Sequence, residues 1–380
     1  MERTLRLAAL ILCSSLATAV WAQEKNVTVQ SQATPFVSLQ EKQQQAQSGT
    51  AAMPAARNPL PDLHYAARQT LPGVVHILCT YKPDIKNIPR SDQKLRSEDL
   101  WNTAAGSPVG SASGVLLSDN GYIVTNYHVV KDTRSLDAVL YDHRIYRASL
   151  VGVDSLTDLA ILKIDEEGLP FVKLGRTDSL EEGDWVLAVG NPLNLPFTVT
   201  AGIISARKRF IRNPDGKPGM YPYIQTDAVT NNGSSGGAVV NMNGELIGLS
   251  TGIFTRDGSY NGYSFCLPAE VITRIGNDLI RYGVHRPADL GVQLQEMPNV
   301  QGAYVNGLAQ DGAGMLAGIH KGDVITAVAG QPVITVETFN NAMLLQYPGK
   351  QVMITIMRNG KALQLPAVPL ENGHTTAFNR

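Results

Sequence analysis

The sequence contains few cysteines and few aromatic residues, and its positive and negative charges nearly balance. Its 32 Lys and Arg against 33 Asp and Glu give a formal net charge of −1 at pH 7. Nucleic-acid binding normally needs a basic patch or stripe, so the composition indicates no nucleic-acid partner. Aromatic residues make up only 6 %, while 35 Gly and 21 Pro separate many short β-branched runs. This pattern favours strands and turns over long helices, in a chain long enough for two or three domains.

The sequence contains only three cysteines from which disulfide bonds could form. Cys13 lies in an N-terminal apolar run, which leaves Cys79 and Cys266 in the rest of the chain. One disulfide between them would be permitted in an oxidising compartment. Both residues stand in apolar, strand-like contexts, however, where a buried free thiol is an ordinary core residue. We therefore expect two free thiols.

The N-terminus lacks an apolar run of the ~20 residues that a membrane-spanning helix needs. Arg3 and Arg6 precede the uncharged residues 7–21, and Val20-Trp21-Ala22 offers small residues at the positions that a signal peptidase reads. This arrangement predicts an export signal peptide, residues 1–22, that is cleaved after Ala22. An uncleaved signal that anchors the protein in the inner membrane is the alternative. Residues 23–60, rich in Gln, Ala, Ser and Pro, are predicted to form a flexible linker.

A glycine-rich turn, Gly233-Ser234-Ser235-Gly236-Gly237, is the strongest candidate for chemistry. Such a turn can push a serine hydroxyl outward while its own backbone N–H groups point at one spot. A nucleophile that attacks an amide carbonyl needs both features. A plain turn between strands is the competing interpretation.

His128 follows a predicted hairpin whose Asp-Asn-Gly turn contains the strong Asn-Gly signal. We expect the second strand to end at His128, where an imidazole is well placed as a general base. His143 is the nearest rival, although its charged neighbours indicate solvated surface. Asp158 directly precedes the apolar run Leu-Ala-Ile-Leu, so its carboxylate can be partly buried and orient an imidazole. Asp154 is the alternative acid.

The order His, Asp, Ser along the chain is that of chymotrypsin-like enzymes. Here the sequence resembles a known family, the HtrA (DegP-like) serine proteases, over residues 74–371. The resemblance is carried by Thr-Asn-Tyr-His-Val-Val, Thr-Asp-Leu-Ala-Ile-Leu-Lys-Ile, Ala188-Val-Gly-Asn-Pro192, Thr198-Val-Thr-Ala-Gly-Ile-Ile-Ser205 and Gln225-Thr-Asp-Ala.

The resemblance implies a mostly β fold, with a chymotrypsin-like double antiparallel β-barrel over residues 61–282. It implies two six-stranded barrels, roughly residues 61–175 and 176–267, followed by a helix that begins at Pro268. Ser235 would be the nucleophile, His128 the general base and then acid, and Asp158 the residue that orients it. The backbone N–H groups of Gly233 and Ser235 would form the oxyanion hole, and neither a metal nor a cofactor is expected.

Three positions depart from the pattern of the family. Ser234 stands where Asn is usual, Ala238 stands where Pro is usual, and Thr230 replaces an apolar β-branched residue of the primary substrate pocket. With Val229, Thr230 still predicts a preference for small aliphatic residues. Ser234 cannot supply the carboxylate that pairs with a newly cut N-terminus in digestive relatives, so loops must order the site. Residues 207–220 occupy the place of the family's sensor loop.

Residues 283–372 resemble a smaller α+β PDZ domain, through Leu290-Gly-Val-Gln-Leu-Gln, Gly302-Ala-Tyr-Val and Lys321-Gly-Asp-Val-Ile. Such a domain adds a peptide strand to its sheet edge and binds the terminal carboxylate on backbone N–H groups. We expect that loop at Leu290, Gly291 and Val292, and a helix over residues 336–346 facing the groove. Residues 373–380 are predicted to be a disordered tail.

The expected function is that of an exported, periplasmic serine endopeptidase that cleaves misfolded or regulatory envelope proteins in quality control or stress response. C-terminal peptides would regulate it through the PDZ domain, and family resemblance suggests a homotrimer. A PDZ-based chaperone or peptide-binding protein with little protease activity is the alternative.

Overall fold

The described part of the chain consists mainly of short antiparallel strands. A computed structural model describes residues 62–81, 109–191, 197–210, 222–253 and 261–371. The predicted signal peptide (1–22), linker (23–60) and tail (373–380), and most of the basic segment 207–220, lie outside these residues. Among the described residues, no helix has the length and apolar character needed to cross a membrane.

The first barrel follows a helix whose N-terminus is capped by Asp62, which accepts hydrogen bonds from the N–H groups of His64 and Tyr65. The elements, in order, are α1 Leu63–Thr70, β1 Val74–Tyr81, β2 Val109–Leu116, β3 Tyr122–Asn126, α2 Tyr127–Val130, β4 Thr133–Val139, β5 Ile145–Asp154 and β6 Leu159–Lys163. The six strands close in the order β1-β2-β3-β6-β5-β4. Alternate residues of β1 (Val75, Ile77 and Cys79) fill the barrel interior, as the two-residue period of a strand requires.

The second barrel repeats this plan. Its strands are β7 Trp185–Gly190, β8 Thr198–Arg209, β9 Tyr223–Thr226, β10 Ala238–Val240, β11 Leu246–Ile253 and β12 Ser264–Pro268. They close in the order β10-β11-β12-β9-β8-β7. Val186, Ala188, Ile204 and Cys266 belong to its interior cluster. The double six-stranded barrel expected from the resemblance is therefore confirmed.

A further apolar core lies between the barrels and belongs to neither alone. Val74 and Leu159 of the first barrel join Leu187 and Tyr223 of the second in this cluster. Helix α3, Ala269–Tyr282, covers the cluster with the apolar residues that the sequence placed at helical spacing: Val271, Ile272, Ile275, Leu279 and Ile280. The helix begins one residue later than predicted because Pro268 is its N-cap, and it ends at Gly283 in the left-handed conformation (φ 76°).

Cys79 and Cys266 are both buried free thiols, as expected. They cannot pair because they belong to the interiors of two different barrels. Burial raises the pKa of Cys79 to about 12 and also raises the pKa of Cys266. Both side chains therefore stay protonated at neutral pH and behave as small apolar groups.

The C-terminal module is an α+β unit with an apolar core of its own, and its Leu344 also joins the cluster between the barrels. Its elements are β13 Ala288–Asp289, β14 Val292–Gln295, β15 Ala303–Leu308, α4 Ala313–Leu316, β16 Val324–Val328, β17 Gln331–Pro332, α5 Val336–Leu344, β18 Val352–Arg358, β19 Lys361–Ala367 and β20 Leu370–Glu371. The main sheet runs β14-β15-β16-β18-β19, with β14 at an edge. Helix α5 starts at the predicted residue, with Thr335 and Thr338 in a capping box.

Candidate active site

The pairing of two strands brings the predicted base and acid together. Strand β3 pairs with β6 so that Asn126 faces Leu159, and the next residue, Tyr127, donates its N–H to the carbonyl of Asp158 (2.9 Å). His128 is thereby placed beside the Asp158 side chain. The expectation that the strand ends at His128 is wrong: β3 ends at Asn126, and His128 lies in the one-turn helix α2. The chain turns after Asn126, where the carbonyl of Asp158 accepts a hydrogen bond from the N–H of Tyr127.

The Asp158 carboxylate contacts His128 twice. Its Oδ2 lies 2.6 Å from the ring Nδ1 of His128, and its Oδ1 accepts the His128 backbone N–H at 2.8 Å. The Asp158 side chain is 6 % exposed and that of His128 is 36 % exposed. A buried carboxylate on Nδ1 fixes the ring and its tautomer, and it leaves Nε2 as the nitrogen that can accept a proton.

The two rival residues lie elsewhere. Asp154, at the end of β5, accepts hydrogen bonds from the N–H and hydroxyl of Thr157. His143 lies in the exposed turn between β4 and β5, where its N–H donates to the carbonyl of Leu140. Among the contacts described for the chain, neither residue touches His128 or Asp158.

The serine turn is held by three short backbone hydrogen bonds. Ser234 N–H donates to Asn231 O, Gly237 N–H to Ser234 O and Gly236 N–H to Ser250 O, each at 2.8 Å. Gly236 has a φ of +82°, and a Cβ there would stand 2.1 Å from the carbonyl oxygen of Ser113. The first glycine after Ser235 is thus required both by backbone conformation and by the close approach of the first barrel.

Two hydrogen bonds join the second barrel to the first near His128, one of them at the serine turn. Ser113 in β2 donates its N–H to the carbonyl of Ser235 (2.9 Å), and the amide of Asn126 reaches Thr251 Oγ1 (3.3 Å). The structure records no hydrogen bond between Ser235 and His128 among the described residues. Such catalytic hydrogen bonds are often long in the absence of substrate and tighten when it binds.

The two predicted oxyanion donors share one feature. Within the described part of the chain, the backbone N–H groups of Gly233 and Ser235 donate to no protein acceptor, although neighbouring N–H groups in the turn are bonded. Gly233 adopts a φ of +95°. Unsatisfied N–H groups two residues apart in a tight turn are what a developing oxyanion requires.

Val229 and Thr230 line the same cavity, which has a volume of about 10 Å³. This volume accommodates about one water molecule. Ser264 donates its hydroxyl to Ala228 O (2.9 Å), so the Thr230 hydroxyl donates to Ser264 Oγ (2.8 Å). The bond to Ser264 occupies the hydroxyl proton of Thr230.

Leu290, Gly291 and Val292 lie where the edge strand β14 begins. The carbonyl of Leu290 accepts from Gly314 N–H (2.7 Å) and that of Gly291 from Ala309 N–H (2.8 Å). The N–H of Gly291 is already donated to Asp289 Oδ1 (2.8 Å). A bound carboxylate would have to use other N–H groups of the loop or displace Asp289, and its binding here stays a prediction.

Sequence reasoning assigned no role to Ser113, Asn191 or Ser264. All three are buried polar residues whose hydrogen bonds connect strands far apart in sequence. A single serine among small residues, as in Ser-Ala-Ser-Gly, carries no periodicity or spacing that would mark it. Their roles become visible only once the barrels are paired.

Two antiparallel six-stranded barrels with a His–Asp pair and a serine turn between them, followed by a PDZ-like module, define a chymotrypsin-like serine peptidase architecture. Family models agree: a trypsin-like peptidase domain matches residues 112–249, and a PDZ domain matches residues 288–367.

Relatives extend the match over most of the chain. A probable periplasmic serine endoprotease DegP-like of Pseudomonas putida (strain W619) is 34 % identical over 339 residues, which is 82 % of this chain and 70 % of that protein. One with the same name from Chlamydia trachomatis is 38 % identical over 275 residues. The match covers 69 % of this chain but only 55 % of the Chlamydia protein, so the chain spans about half the length of that relative.

Solved structures give the same result. The HtrA-type protease AlgW with a tripeptide matches with a TM-score of 0.61 and 32 % identity, over 82 % of this chain and 98 % of that one. A serine endoprotease from Yersinia pestis matches with a TM-score of 0.53, 32 % identity, and coverage of 83 % and 99 %. The chain belongs to the HtrA family of DegP-like serine endoproteases.

Proposed function

We propose that the protein is an exported serine endopeptidase that acts in the periplasm and hydrolyses peptide bonds through Ser235, His128 and Asp158. The contact that carries the proposal is the 2.6 Å approach of His128 Nδ1 to the buried Asp158 carboxylate. The hydrogen bond from barrel one to the backbone of Ser235 adds support. The names of the DegP-like relatives, which call them probable periplasmic serine endoproteases, support both the activity and the compartment.

The reaction follows from the proposed roles. His128 Nε2 takes the proton of the Ser235 hydroxyl as Oγ attacks the scissile carbonyl carbon, and Asp158 stabilises the imidazolium that forms. The carbonyl oxygen becomes an oxyanion, which accepts hydrogen bonds from the N–H groups of Gly233 and Ser235. His128 then returns the proton to the leaving amine, and an acyl ester on Ser235 remains. Water, deprotonated by His128, hydrolyses the ester and releases the second product.

The substrates are unfolded or regulatory proteins of the cell envelope, and C-terminal peptides bind the PDZ domain at Leu290, Gly291 and Val292. Two observations support this part: β14 is an edge strand that a peptide can extend, and the structural neighbour AlgW has been solved with a tripeptide and with a decapeptide. A homotrimer is included in the proposal because the family resemblance implies it, and sedimentation of the purified chain tests it.

Labelling with a serine-directed fluorophosphonate tests the enzymatic proposal. The wild-type protein should be labelled and should cleave unfolded protein, while Ser235→Ala should do neither and keep its fold by circular dichroism. Ser149→Ala is the matched control because Ser149 is exposed in β5, and within the described part of the chain its Oγ donates only to Lys163 O. A wild-type protein that binds peptides but takes up no label and cleaves nothing would be a binding module instead.

A further inference from the structure

Every polar group of Ser113 forms a hydrogen bond, and the hydroxyl and the backbone N–H join the first barrel to the second. Its hydroxyl donates to Gly233 O (2.8 Å) and accepts from the N–H of Asn191 (2.8 Å). Its backbone N–H donates to Ser235 O (2.9 Å). Its carbonyl accepts the hydroxyl of Thr125 (2.8 Å). The residue is fully buried, so each of these bonds is shielded from competition by water.

Ser113 forms hydrogen bonds to two peptide groups of the serine turn. In each group Ser113 bonds the carbonyl, and another residue bonds the N–H. The group between Gly233 and Ser234 is held at its carbonyl by Ser113 Oγ and at its N–H by Asn231 O. The group between Ser235 and Gly236 is held at its carbonyl by the Ser113 N–H and at its N–H by Ser250 O. A planar peptide group bonded at both ends cannot rotate without breaking a bond.

The two peptide groups that carry the oxyanion donors differ in the hydrogen bonds that hold them. The group that ends in the Ser235 N–H is anchored by its carbonyl, which accepts from Gly237 N–H (2.8 Å). For the group that ends in the Gly233 N–H, no hydrogen bond is recorded at either end among the described residues. Its direction therefore depends on the adjacent peptide group, across the permissive backbone of Gly233 (φ +95°). The hydroxyl of Ser113 is the anchor of that adjacent group.

We propose that Ser113 is a positioning residue for the oxyanion hole: its hydroxyl, held by Asn191, fixes the carbonyl of Gly233 and thereby aims the Gly233 N–H at the substrate carbonyl oxygen. This inference deepens the proposed function and rests on it. The Ser113 hydroxyl contacts neither substrate nor reacting atoms, so it acts through the carbonyl of Gly233. An oxyanion exists only in the transition state and tetrahedral intermediate, so loss of the positioning should lower kcat and leave KM nearly unchanged.

The test compares Ser113→Ala with two other variants. Deleting an oxyanion donor outright costs about 10²–10³-fold in kcat, so loosening one should cost about 10- to 100-fold. Ser113→Cys retains a weak donor and should fall between Ser113→Ala and the wild type. Thr70→Val is the matched control, since Thr70 is a fully buried residue whose hydroxyl bonds Ala66 O at 2.8 Å in α1, away from the serine turn. Its kcat should equal that of the wild type.

A second readout separates positioning from a general loss of structure. A peptidyl aldehyde forms a hemiacetal oxyanion on Ser235, so its affinity should fall in Ser113→Ala by the same factor as kcat. A kcat loss no larger than that of Thr70→Val, a change confined to KM, or unchanged aldehyde affinity would overturn the inference. So would failure of both Ser113 variants to fold, because the hydroxyl would then be purely structural. An inactive wild-type protein would instead refute the proposed function itself.

Discussion

The guanidinium of Arg274 lies on the ring of Tyr347, with its central carbon 4.1 Å from the ring centroid. Arg274 belongs to helix α3 of the protease domain, and Tyr347 follows helix α5 of the PDZ domain. The same side chain donates to Gln346 O and to Arg286 O, each at 2.8 Å, and pairs with Asp278 at 2.6 Å. One buried arginine therefore contacts Asp278 of the protease helix and three residues of the C-terminal module, Arg286, Gln346 and Tyr347.

Replacing Arg274 by Met should be strongly destabilising. The aliphatic stem can be mimicked, but the buried carboxylate of Asp278 would lose its charged partner and keep the Arg286 N–H (2.9 Å) and His285 Nδ1 (3.2 Å). Removal of one member of a buried ion pair typically costs about 3–5 kcal/mol. Chemical denaturation in a Ser235→Ala background, which prevents self-cleavage, measures this loss. The double variant Arg274→Met with Asp278→Asn should recover part of the stability. Arg176→Met, which breaks an exposed ion pair with Asp178, should change stability little; an equal effect of the two arginine substitutions would contradict the assignment.

Asp158→Asn should lower kcat by about 10⁴-fold while leaving the protein folded. The amide can keep the geometry but presents the wrong hydrogen-bonding group to Nδ1 and cannot stabilise an imidazolium. Asn also tolerates the positive φ of 58° found at this position. Steady-state cleavage of a peptide substrate measures the loss. Asp154→Asn, which replaces the rival acid bonded to Thr157, should retain most of the activity.

Each member of the predicted triad had a local signal, namely a glycine turn at Ser235, a hairpin before His128 and an apolar strand after Asp158. The resemblance to the HtrA family supplied the three roles, and the structure brings His128 and Asp158 into contact. The error at His128 arose because strand propensity continues through Tyr-His-Val-Val, and the competing bond from Tyr127 to the Asp158 carbonyl is a tertiary contact. Ser113 could not be found for the same reason, since its partners lie far along the chain. The apolar surroundings of Cys79 and Cys266 predicted two free thiols. The structure adds the reason why they cannot pair, since each lies inside a different barrel.

Thr230→Val should preserve the predicted preference for small aliphatic residues at the cleavage site. The hydroxyl that is lost bonds Ser264, and Ser264 retains its own bond to Ala228. We expect cleavage after Val, Ala and Thr at nearly unchanged kcat/KM, with a loss of about 1 kcal/mol in the free energy of unfolding. Mass spectrometry of an unfolded protein digest gives the cleavage profile. Dominant cleavage after Arg or Lys, in either protein, would refute the pocket assignment.

His285→Gln should reduce the acid sensitivity of the protein. Burial lowers the pKa of His285, against the opposing effect of Asp154 and Asp278 and in the same direction as Arg274. The unfolded chain therefore takes up a proton near pH 6.5 that the folded chain resists, and stability falls as pH decreases below that value. Thermal unfolding between pH 8 and pH 5, again in the Ser235→Ala background, should show a shallower decline for His285→Gln. His143→Gln, on an exposed turn, should follow the parent protein.

Peptides with free apolar C-termini should activate cleavage of a short substrate. A peptide that binds the active state more tightly by about 1–3 kcal/mol raises activity about 5- to 150-fold when the resting active population is small. The same peptides amidated at the C-terminus are the control, because they cannot present a carboxylate to the loop at Gly291. Point variants are preferable to removal of the whole PDZ domain, since deletion would remove the contacts of Arg274 with Arg286, Gln346 and Tyr347. Equal rates with free, amidated and no peptide would mean that the domain only delivers substrate.

The apolar cluster between the barrels determines how the protein unfolds. Leu159, Tyr223, Ile275 and Leu344 come from the first barrel, the second barrel, the connecting helix and the PDZ domain, yet they share one core. Opening any of these parts exposes apolar surface on the others, so local unfolding of one barrel is nearly as costly as global unfolding. The cleft should therefore persist intact up to a single cooperative transition, and a chain cut between the barrels should yield halves that recover activity only by reassembling with each other.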